Sequence, residues 1–431
     1  MSRRREGAAF IRRGGVGLAL TAAGVLALAA CGSSGGSSTS TSGLGSSTSS
    51  STAVAAPTSS ASGSATSGSI VWSASPLTGT GANDARTVLI NAFEKQYPGI
   101  HVTLVSAPTD TDTNRATLAT EISGGSSTPD VFMGDVIWPA QFGAHQLAVP
   151  LSDYLPASYW SKFAPGLVTG ASYQGKVYGS PLFEDQGFLY YRKDLLAKAH
   201  MSVPTTWEQL ESDSVTLVHD NDVKYGFVWE GDSYEGLTCD FMEYLADAGG
   251  TVTNSTFTTA ELNSPASVKA ISFMRSLITS GASPAAVTTF QEPQAMTTFG
   301  DGNAAFLRNW DYAYSAATTA SSGGKLTPSQ VGVAPLPTFA GQAYPGYSNI
   351  GGWNLYINPH SKNVAADLTF IKWMSSTQAQ DVLSIQYSEI PTVQSVRTSP
   401  QVLALNPVLA TVPKTAAPFA AAKPANSASP S

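Results

Sequence analysis

Asp135 is the first residue whose type and position in the sequence suggest chemistry. It stands just beyond a short apolar segment, residues 131–133, which has the composition of a buried strand. Ligands of open α/β sheets bind beyond the carboxyl ends of the strands, and a carboxylate there can accept hydrogen bonds from them. The alternative role is structural, because Asp is favoured as a helix N-cap and residues 137–144 have a helical pattern.

Other chemistries lack the residues that they need. No glycine-rich loop with the G-x-x-x-x-G-K-[ST] spacing occurs, so nucleotide hydrolysis is not indicated. The five histidines form no H-E-x-x-H or other metal-binding pattern. Two cysteines, Cys31 and Cys239, are too few for a disulfide scaffold or a cysteine-rich zinc site. The sequence therefore predicts neither a metal site nor a cofactor.

The charge of the chain argues against nucleic acid as a partner. The 431 residues carry a formal net charge of −7, to which residues 1–30 contribute five arginines and one glutamate, so that the rest carries −11. An acidic body without a basic run does not attract phosphate backbones. Apolar residues make up 42% of the chain, which is enough for a large core.

Alternating strand and helix patterns around Asp135 are the elements that must position it. Apolar or alternating segments predict strands at 70–72, 100–104 and 131–133. Segments with helical spacing follow them, at 84–96, 115–123 and 137–144. This order predicts a parallel sheet with helices on both faces. A later strand at 352–357 and a helix at 363–376 continue the α/β pattern.

The N-terminal residues are predicted to target the chain rather than to fold. Residues 1–30 combine a basic start with a 17-residue apolar run, the pattern of a signal peptide. The run ends in LAAC at 28–31, which resembles a bacterial lipobox and implies lipidation of Cys31. Residues 31–69 would be a disordered Ser/Thr/Gly linker. We expect a lipid-anchored protein on the outer face of the bacterial cytoplasmic membrane.

Several segments, in order along residues 70–395, resemble the extracellular solute-binding proteins of ABC sugar importers, family 1. They are FEKQYPGI (93–100), SSTPDVFMGD (126–135), YYRKDL (190–195), PTTW (204–207), GNAAFLRNW (302–310), VGVAPLP (331–337), GGW (351–353) and FIKW (370–373). Within the family, YEGLTCDF (234–241) is most similar to the trehalose/maltose-binding branch.

The resemblance implies an α/β, two-lobed periplasmic-binding-protein-like fold with a ligand cleft between the lobes. By analogy, lobe one would comprise residues 70–182 plus 307–356, and lobe two residues 183–306 plus 357–415. An Ala/Pro/Ser tail would follow at 416–431. The implied protein is a monomer that performs no catalysis. It would capture an α-linked disaccharide, such as trehalose or maltose, by cleft closure and deliver it to ABC permease subunits.

The resemblance also implies a set of ligand-binding residues. Asp135 and Asp185 match aspartates that bind sugar hydroxyls, and Trp310 and Trp353 match tryptophans that stack on sugar rings. The other candidates lie near these residues or in the branch-specific stretch: Asp84, Asn114, Arg115, Phe183, Glu230, Tyr234 and Gly352. Structural alternatives are a solvated loop charge for Asp185, a core position for each tryptophan, and stabilisation of a helix dipole for Asp84.

Two other functions are compatible with these residues. Asp135 and Asp185 could be the paired carboxylates of an extracellular glycosidase, since two carboxylates suffice for that chemistry. A binding protein for a solute other than a sugar, such as a polyol or an oligopeptide, would share the fold and the cleft.

Overall fold

The computed structural model describes residues 65–412. The signal peptide, Cys31 and most of the linker lie outside the described residues, as does the tail at 416–431. The last linker residues are ordered, contrary to expectation. Gly68 and Ser69 begin a strand, and the backbone N–H of Ala65 donates to Thr369 Oγ1 at 2.9 Å. Composition alone could not show these partners, because they come from distant parts of the chain.

Strands and helices alternate along most of the described chain. Between residues 65 and 412 there are twelve strands: β1 Gly68–Ala74, β2 Ile100–Ser106, β3 Val131–Asp135, β4 Ser172–Tyr173, β5 Lys176–Val177, β6 Ser180–Gln186, β7 Phe188–Arg192, β8 Tyr225–Val228, β9 Ala304–Asn309, β10 Val331–Ala334, β11 Ile350–Ile357 and β12 Ile390–Pro391.

The same residues form fifteen α-helices. They are α1 Ala85–Gln96, α2 Thr111–Ser123, α3 Pro139–Ala144, α4 Ala157–Trp160, α5 Pro165–Gly170, α6 Lys193–Ala199, α7 Trp207–His219, α8 Glu235–Asp247, α9 Pro265–Thr279, α10 Glu292–Gly300, α11 Ala313–Thr318, α12 Val364–Met374, α13 Thr377–Asp381, α14 Gln394–Arg397 and α15 Pro400–Leu405. Short 3-10 turns and a π-helical turn at Val382–Gln386 join some of them.

The first helix shows how local sequence fixes the elements. Asp84 caps α1, since its Oδ1 accepts a hydrogen bond from the backbone N–H of Arg86 at 2.9 Å. The helix ends before Pro98, which has no N–H to continue the pattern. Its Phe93 is fully buried and packs edge-on against Phe370 of α12, with ring centroids 5.0 Å apart. This packing attaches both helices to the same sheet.

The larger sheet has six strands in the order β12-β6-β11-β3-β1-β2. Strands β2 and β3 both pair with β1 in parallel, as the sequence predicts. However, β11 is antiparallel to β3 and β6, and β12 is antiparallel to β6, so the sheet is mixed. The expected parallel pairing is therefore confirmed for β1, β2 and β3. The directions of β6, β11 and β12 do not follow from the sequence, because strand direction depends on partners far away in sequence.

A second sheet has four strands in the order β10-β7-β9-β8. Gly187 alone separates β6 of the first sheet from β7 of the second, so this is one crossover between them. The sheets divide the chain differently from the expected lobe boundaries. Strands β9 and β10, at 304–309 and 331–334, belong to the four-stranded sheet. Helix α12 contacts β1, and β12 pairs with β6, so these later elements belong to the six-stranded sheet.

Candidate ligand-binding site

Three neighbouring strands of the six-stranded sheet bring acidic and aromatic residues together. Asp135 is the last residue of β3, and the register places Trp353 of β11 opposite it. On its other side, Trp353 is opposite Phe183 of β6, and Gly351 is opposite Asp185. The carboxyl end of β3 thus carries a carboxylate beside an indole, as expected for a ligand site of an α/β sheet.

Asp135 is held by the turn that follows its strand. Its Oδ1 accepts a hydrogen bond from the backbone N–H of Ile137 at 2.9 Å. The N-cap position of α3 is Trp138, so a helix-capping role for Asp135 is wrong. Burial raises the pKa of Asp135 well above its usual range, and the nearby charges of Glu235 and Asp185 raise it further.

Asp185 lies inside β6 and is buried, so the alternative of a solvated loop charge is wrong. Its Oδ1 has no hydrogen-bond partner among the described residues. Burial raises the pKa of Asp185 well above its usual range, with a further contribution from Asp311. The charge of Asp185 also contributes to the raised pKa of Asp135.

Trp310 follows β9 and joins this region from the four-stranded sheet. One face of its ring lies on the guanidinium of Arg308, whose Cζ is 4.2 Å from the ring centroid. A Cβ placed on Gly351 would lie 3.4 Å from the same ring. Trp310 is 8% exposed, so it is nearly enclosed between the two sheets.

A buried ion-pair cluster, Arg308 with Glu230, Asp240 and Glu243, holds this arginine in place. The distances from its guanidinium nitrogens to the three carboxylates are 2.7, 2.9 and 2.6 Å. Burial alone would lower the pKa of Arg308, but the three carboxylates raise it above its usual value. Glu230 therefore orients Arg308 beneath Trp310. Of these four residues only Glu230 is a candidate from the sequence, although Asp240 and Arg308 lie in the segments that resemble the family.

Tyr234 lies next to this cluster at the start of α8. It is 8% exposed. Burial raises the pKa of its hydroxyl, and the charges of Glu230 and Glu292 raise it further. Burial also raises the pKa of Glu292, a residue that sequence analysis did not select. The four-stranded side of the region therefore contributes a phenol and several carboxylates.

Gly352 and Phe183 shape the floor between Asp135 and Asp185. Gly352 has φ = +128°, and a Cβ there would lie 2.5 Å from the Phe183 carbonyl oxygen. Only glycine fits this backbone conformation and spacing. The Phe183 ring is buried in the core, where it supports the strand rather than an open surface. Trp353 is half-buried and packs edge-on against Trp138, at 6.2 Å between centroids.

Three sequence candidates have clear structural partners. Asp84 caps α1 and pairs with Arg86 at 2.6 Å. Asn114 is buried and donates to Ser75 Oγ at 3.2 Å. Arg115 donates to Gln141 Oε1 at 2.9 Å and interacts with the charge of Glu235. Glu235 is in turn one of the charges that raise the pKa of Asp135.

Residues near the beginnings of α2 and α10 also contact each other. Gln291, before α10, donates from Nε2 to Asp110 Oδ2, before α2, at 3.4 Å. Burial raises the pKa of Glu235 of α8, and the nearby Thr111 of α2 opposes this effect. The hydrogen bond between Gln291 and Asp110 joins the segments that precede α10 and α2.

This arrangement, an α/β fold with a polar and aromatic region between two sheets, defines a solute-binding protein. Residues 79–381 match the family described as bacterial extracellular solute-binding protein, and the chain belongs to that family. A probable ABC transporter-binding protein of Deinococcus radiodurans is 34% identical over 310 residues, which are 71% of this chain and 72% of the relative. Solute-binding proteins are transport components, so the glycosidase alternative is wrong.

Solved structures confirm the periplasmic-binding-protein-like fold. A maltose-bound T. maritima MalE3 has a TM-score of 0.72 at 32% identity, covering 79% of this chain and 85% of that one. The GacH receptor of Streptomyces glaucescens, solved unliganded and with acarbose, has a TM-score of 0.67 at 26% identity, covering 80% and 85%. The maltotriose-binding protein of Pyrococcus abyssi is 23% identical over 64% of this chain and 57% of its own length.

Within residues 65–412, no helix combines the length and the apolar character that crossing a membrane requires.

Proposed function

We propose that this chain captures an α-linked disaccharide, such as maltose or trehalose, and delivers it to an ABC permease. The observation that carries the proposal is the register of β3, β11 and β6. It sets Trp353 beside Asp135 and sets Gly351, which borders the Trp310 ring, beside Asp185. Carboxylates and indole rings therefore alternate across one region.

This alternation suits the chemistry of a sugar. Sugar hydroxyls donate hydrogen bonds, and carboxylate oxygens are the strongest acceptors that a protein offers. The C–H faces of a pyranose are apolar and favour contact with a flat aromatic ring. Two rings, on residues 310 and 353, and two carboxylates, on residues 135 and 185, suit two linked sugar rings. The maltose-bound and maltotriose-binding relatives support this ligand class.

Cleft closure would link capture to delivery. Asp135 and Trp353 belong to the six-stranded sheet, whereas Trp310 and Tyr234 stand on the four-stranded side. A sugar that contacts both groups stabilises the closed arrangement to the extent that it binds that state more tightly. The closed, loaded form would present both lobes to the permease, with lipidated Cys31 keeping the protein at the membrane.

A Cys31→Ser variant, expressed in a bacterium that lipidates secreted proteins, tests this proposal. We expect the variant in the medium and the parent protein in the membrane pellet. The released variant is then titrated calorimetrically with maltose, trehalose, sucrose and mannitol. Saturable binding of maltose or trehalose, and weaker binding of the other two, is the expected result. Selective binding of mannitol would instead identify a polyol-binding protein, and unchanged fractionation would show that Cys31 is not the anchor.

A further inference from the structure

Three carboxylates from distant parts of the chain converge near the crossover between the two sheets. Asp185 lies in β6, Asp311 follows β9, and Glu389 immediately precedes β12. One oxygen of each lies within 4.8 Å of the others. The three residues are 5%, 0% and 1% exposed. We refer to Asp185, Asp311 and Glu389 as the crossover triad.

The triad has fewer partners than its charge requires. Asp311 accepts hydrogen bonds from the backbone N–H groups of Gln186, at 3.3 Å, and Ile390, at 2.7 Å. In contrast, both oxygens of Glu389 and the Oδ1 of Asp185 lack any hydrogen-bond partner within residues 65–412. None of the ion pairs in that part of the chain includes a triad residue.

Buried carboxylates without partners are costly, so they are either protonated or bound to a cation. Arg308 does not meet this need, because Glu230, Asp240 and Glu243 already surround it. Among the three triad residues, Glu389 gives the strongest indication of a bound cation. It is buried with two unsatisfied oxygens, and one of them points at the other two carboxylates.

We propose that Asp185, Asp311 and Glu389 bind a Ca²⁺ ion. Carboxylate oxygens are the preferred ligands of this hard cation, at distances of about 2.3–2.6 Å. Two oxygens on opposite sides of Ca²⁺ are then up to about 5 Å apart, which accommodates the spacing of the triad. Mg²⁺ binds oxygens at about 2.1 Å in a strict octahedron and would require a tighter cluster.

The ion would join elements that belong to different sheets. It would connect β6 and the start of β12, on the six-stranded sheet, to the segment that leaves β9 on the four-stranded sheet. Ca²⁺ would therefore stabilise the crossover region. Asp185 belongs both to this triad and to the proposed sugar site, so Ca²⁺ is titrated without sugar and the sugar is titrated with chelated protein.

The test uses the Cys31→Ser chain, treated with a chelator and dialysed without sugar. CaCl2 is titrated by calorimetry and in thermal unfolding at pH 7.5, with MgCl2 in parallel. We expect one saturable Ca²⁺ site and a melting temperature that rises with Ca²⁺ concentration, since a ligand that binds the folded state stabilises it. Glu389→Gln should weaken Ca²⁺ binding at least tenfold. Asp220→Asn, an exposed carboxylate on another helix end, should bind Ca²⁺ like the parent.

A second readout separates ion binding from a purely structural role of Glu389. Without Ca²⁺, Glu389→Gln should melt no lower than the parent, because it removes an uncompensated charge. With Ca²⁺, the parent should melt higher. If Glu389→Gln does not fold, Glu389→Asp, which shortens the side chain, replaces it with the same expectation of weaker Ca²⁺ binding.

Three results would overturn the proposal. One is a melting temperature that does not respond to millimolar Ca²⁺, which would mean that protons alone neutralise the triad. Another is equal binding of Mg²⁺, and the third is unchanged Ca²⁺ affinity in both Glu389 variants. In each case, sugar binding by the chelated protein would leave the proposed function intact. Ca²⁺ binding without sugar binding would support the metal site and contradict the proposed function.

Discussion

At the scale of single residues, the candidate site depends on side chains that lie behind its aromatic rings. Arg308 lies beneath Trp310 and is held by three buried carboxylates. Removing one partner of such a buried cluster lowers the stability of the fold far more than replacing the whole cluster with apolar residues, because it leaves an unpaired buried charge. The cluster therefore fixes the position of the ring.

Trp353 offers a direct test of sugar stacking. Trp353→Ala removes the flat apolar area beside Asp135. Aromatic contacts are worth about 0.5–1.5 kcal/mol beyond their buried area. With the lost area included, affinity for the sugar identified by calorimetry should fall at least tenfold, which corresponds to about 1.4 kcal/mol.

Trp160→Ala is the matched control for this variant. Trp160 is also half-buried among aromatic rings, with Tyr159 at 4.9 Å between centroids. Both variants should lose similar thermal stability, but only Trp353→Ala should lose sugar affinity. A collapse of stability in Trp353→Ala alone would assign Trp353 to the core, and equal affinities in the two variants would remove it from the site.

At the scale of elements, β11 determines the geometry of the site, because it lies between the strands of Asp135 and Asp185. Its register with β6 shifts just after Trp353, next to the glycine with positive φ. This irregularity in the strand directs Trp353 and lets the chain pass close to Phe183. The position of Trp353 relative to Phe183 thus depends on the backbone conformation of Gly352.

Substitution of the two adjacent glycines tests that dependence. Gly352→Ala should lower stability, because a residue with φ = +128° is strained by about 1–3 kcal/mol and its Cβ would lie 2.5 Å from a carbonyl oxygen. In Gly351→Ala the nearest atom would be 3.4 Å away, so the fold should tolerate it. The free energy of unfolding in urea measures both. Equal stabilities would show that β11 relaxes at this point.

The local elements of this chain are easier to predict from the sequence than the pairing of its strands. The strands β1, β2 and β3 and the helix α1 were found because periodicity and caps are local signals. Helix α2 begins at Thr111, four residues before the expected start, since Asp110 caps it by accepting from Thr113 N–H at 2.7 Å. The antiparallel direction of β11 depends on distant partners and left no local signal.

The sequence gives only part of the candidate site, for the same reason. Asp135 followed from its place after a strand, and the two tryptophans followed from the family resemblance. The triad partners Asp311 and Glu389 were missed, because 78 positions separate them and only the fold brings them together. The expectation of no metal site rested on histidine and cysteine spacing, which cannot detect carboxylates contributed by separate elements.

At the scale of the whole molecule, the acidic composition extends into the interior. Burial raises the pKa of Asp247 and of Asp367 to about 7, and that of Asp240 to about 8. Asp240 and Asp247 lie on α8 and Asp367 lies on α12, so carboxyl groups with raised pKa values occur in two separate helices. An unfolded chain ionises its aspartates near pH 4, so the folded chain retains protons that the unfolded chain has lost.

Stability should therefore fall as pH rises from about 4 to about 8, with Asp247 providing the clearest test. Its carboxylate accepts hydrogen bonds from Trp207 Nε1, at 2.7 Å, and Tyr347 N–H, at 2.8 Å, and Glu243 is its charged neighbour. A pKa that is raised on folding contributes stability below the unfolded value, and this contribution is lost as pH passes the folded value. For one group, the loss is at most about 1.4 kcal/mol per pH unit.

In Asp247→Asn, the free energy of unfolding should drop less between pH 5 and pH 8 than in the parent, with a constant offset for the altered hydrogen bond. Asp220→Asn, at an exposed carboxylate, should follow the parent. An Asp247→Asn variant whose pH dependence also follows the parent would show that Asp247 is ionised throughout this range.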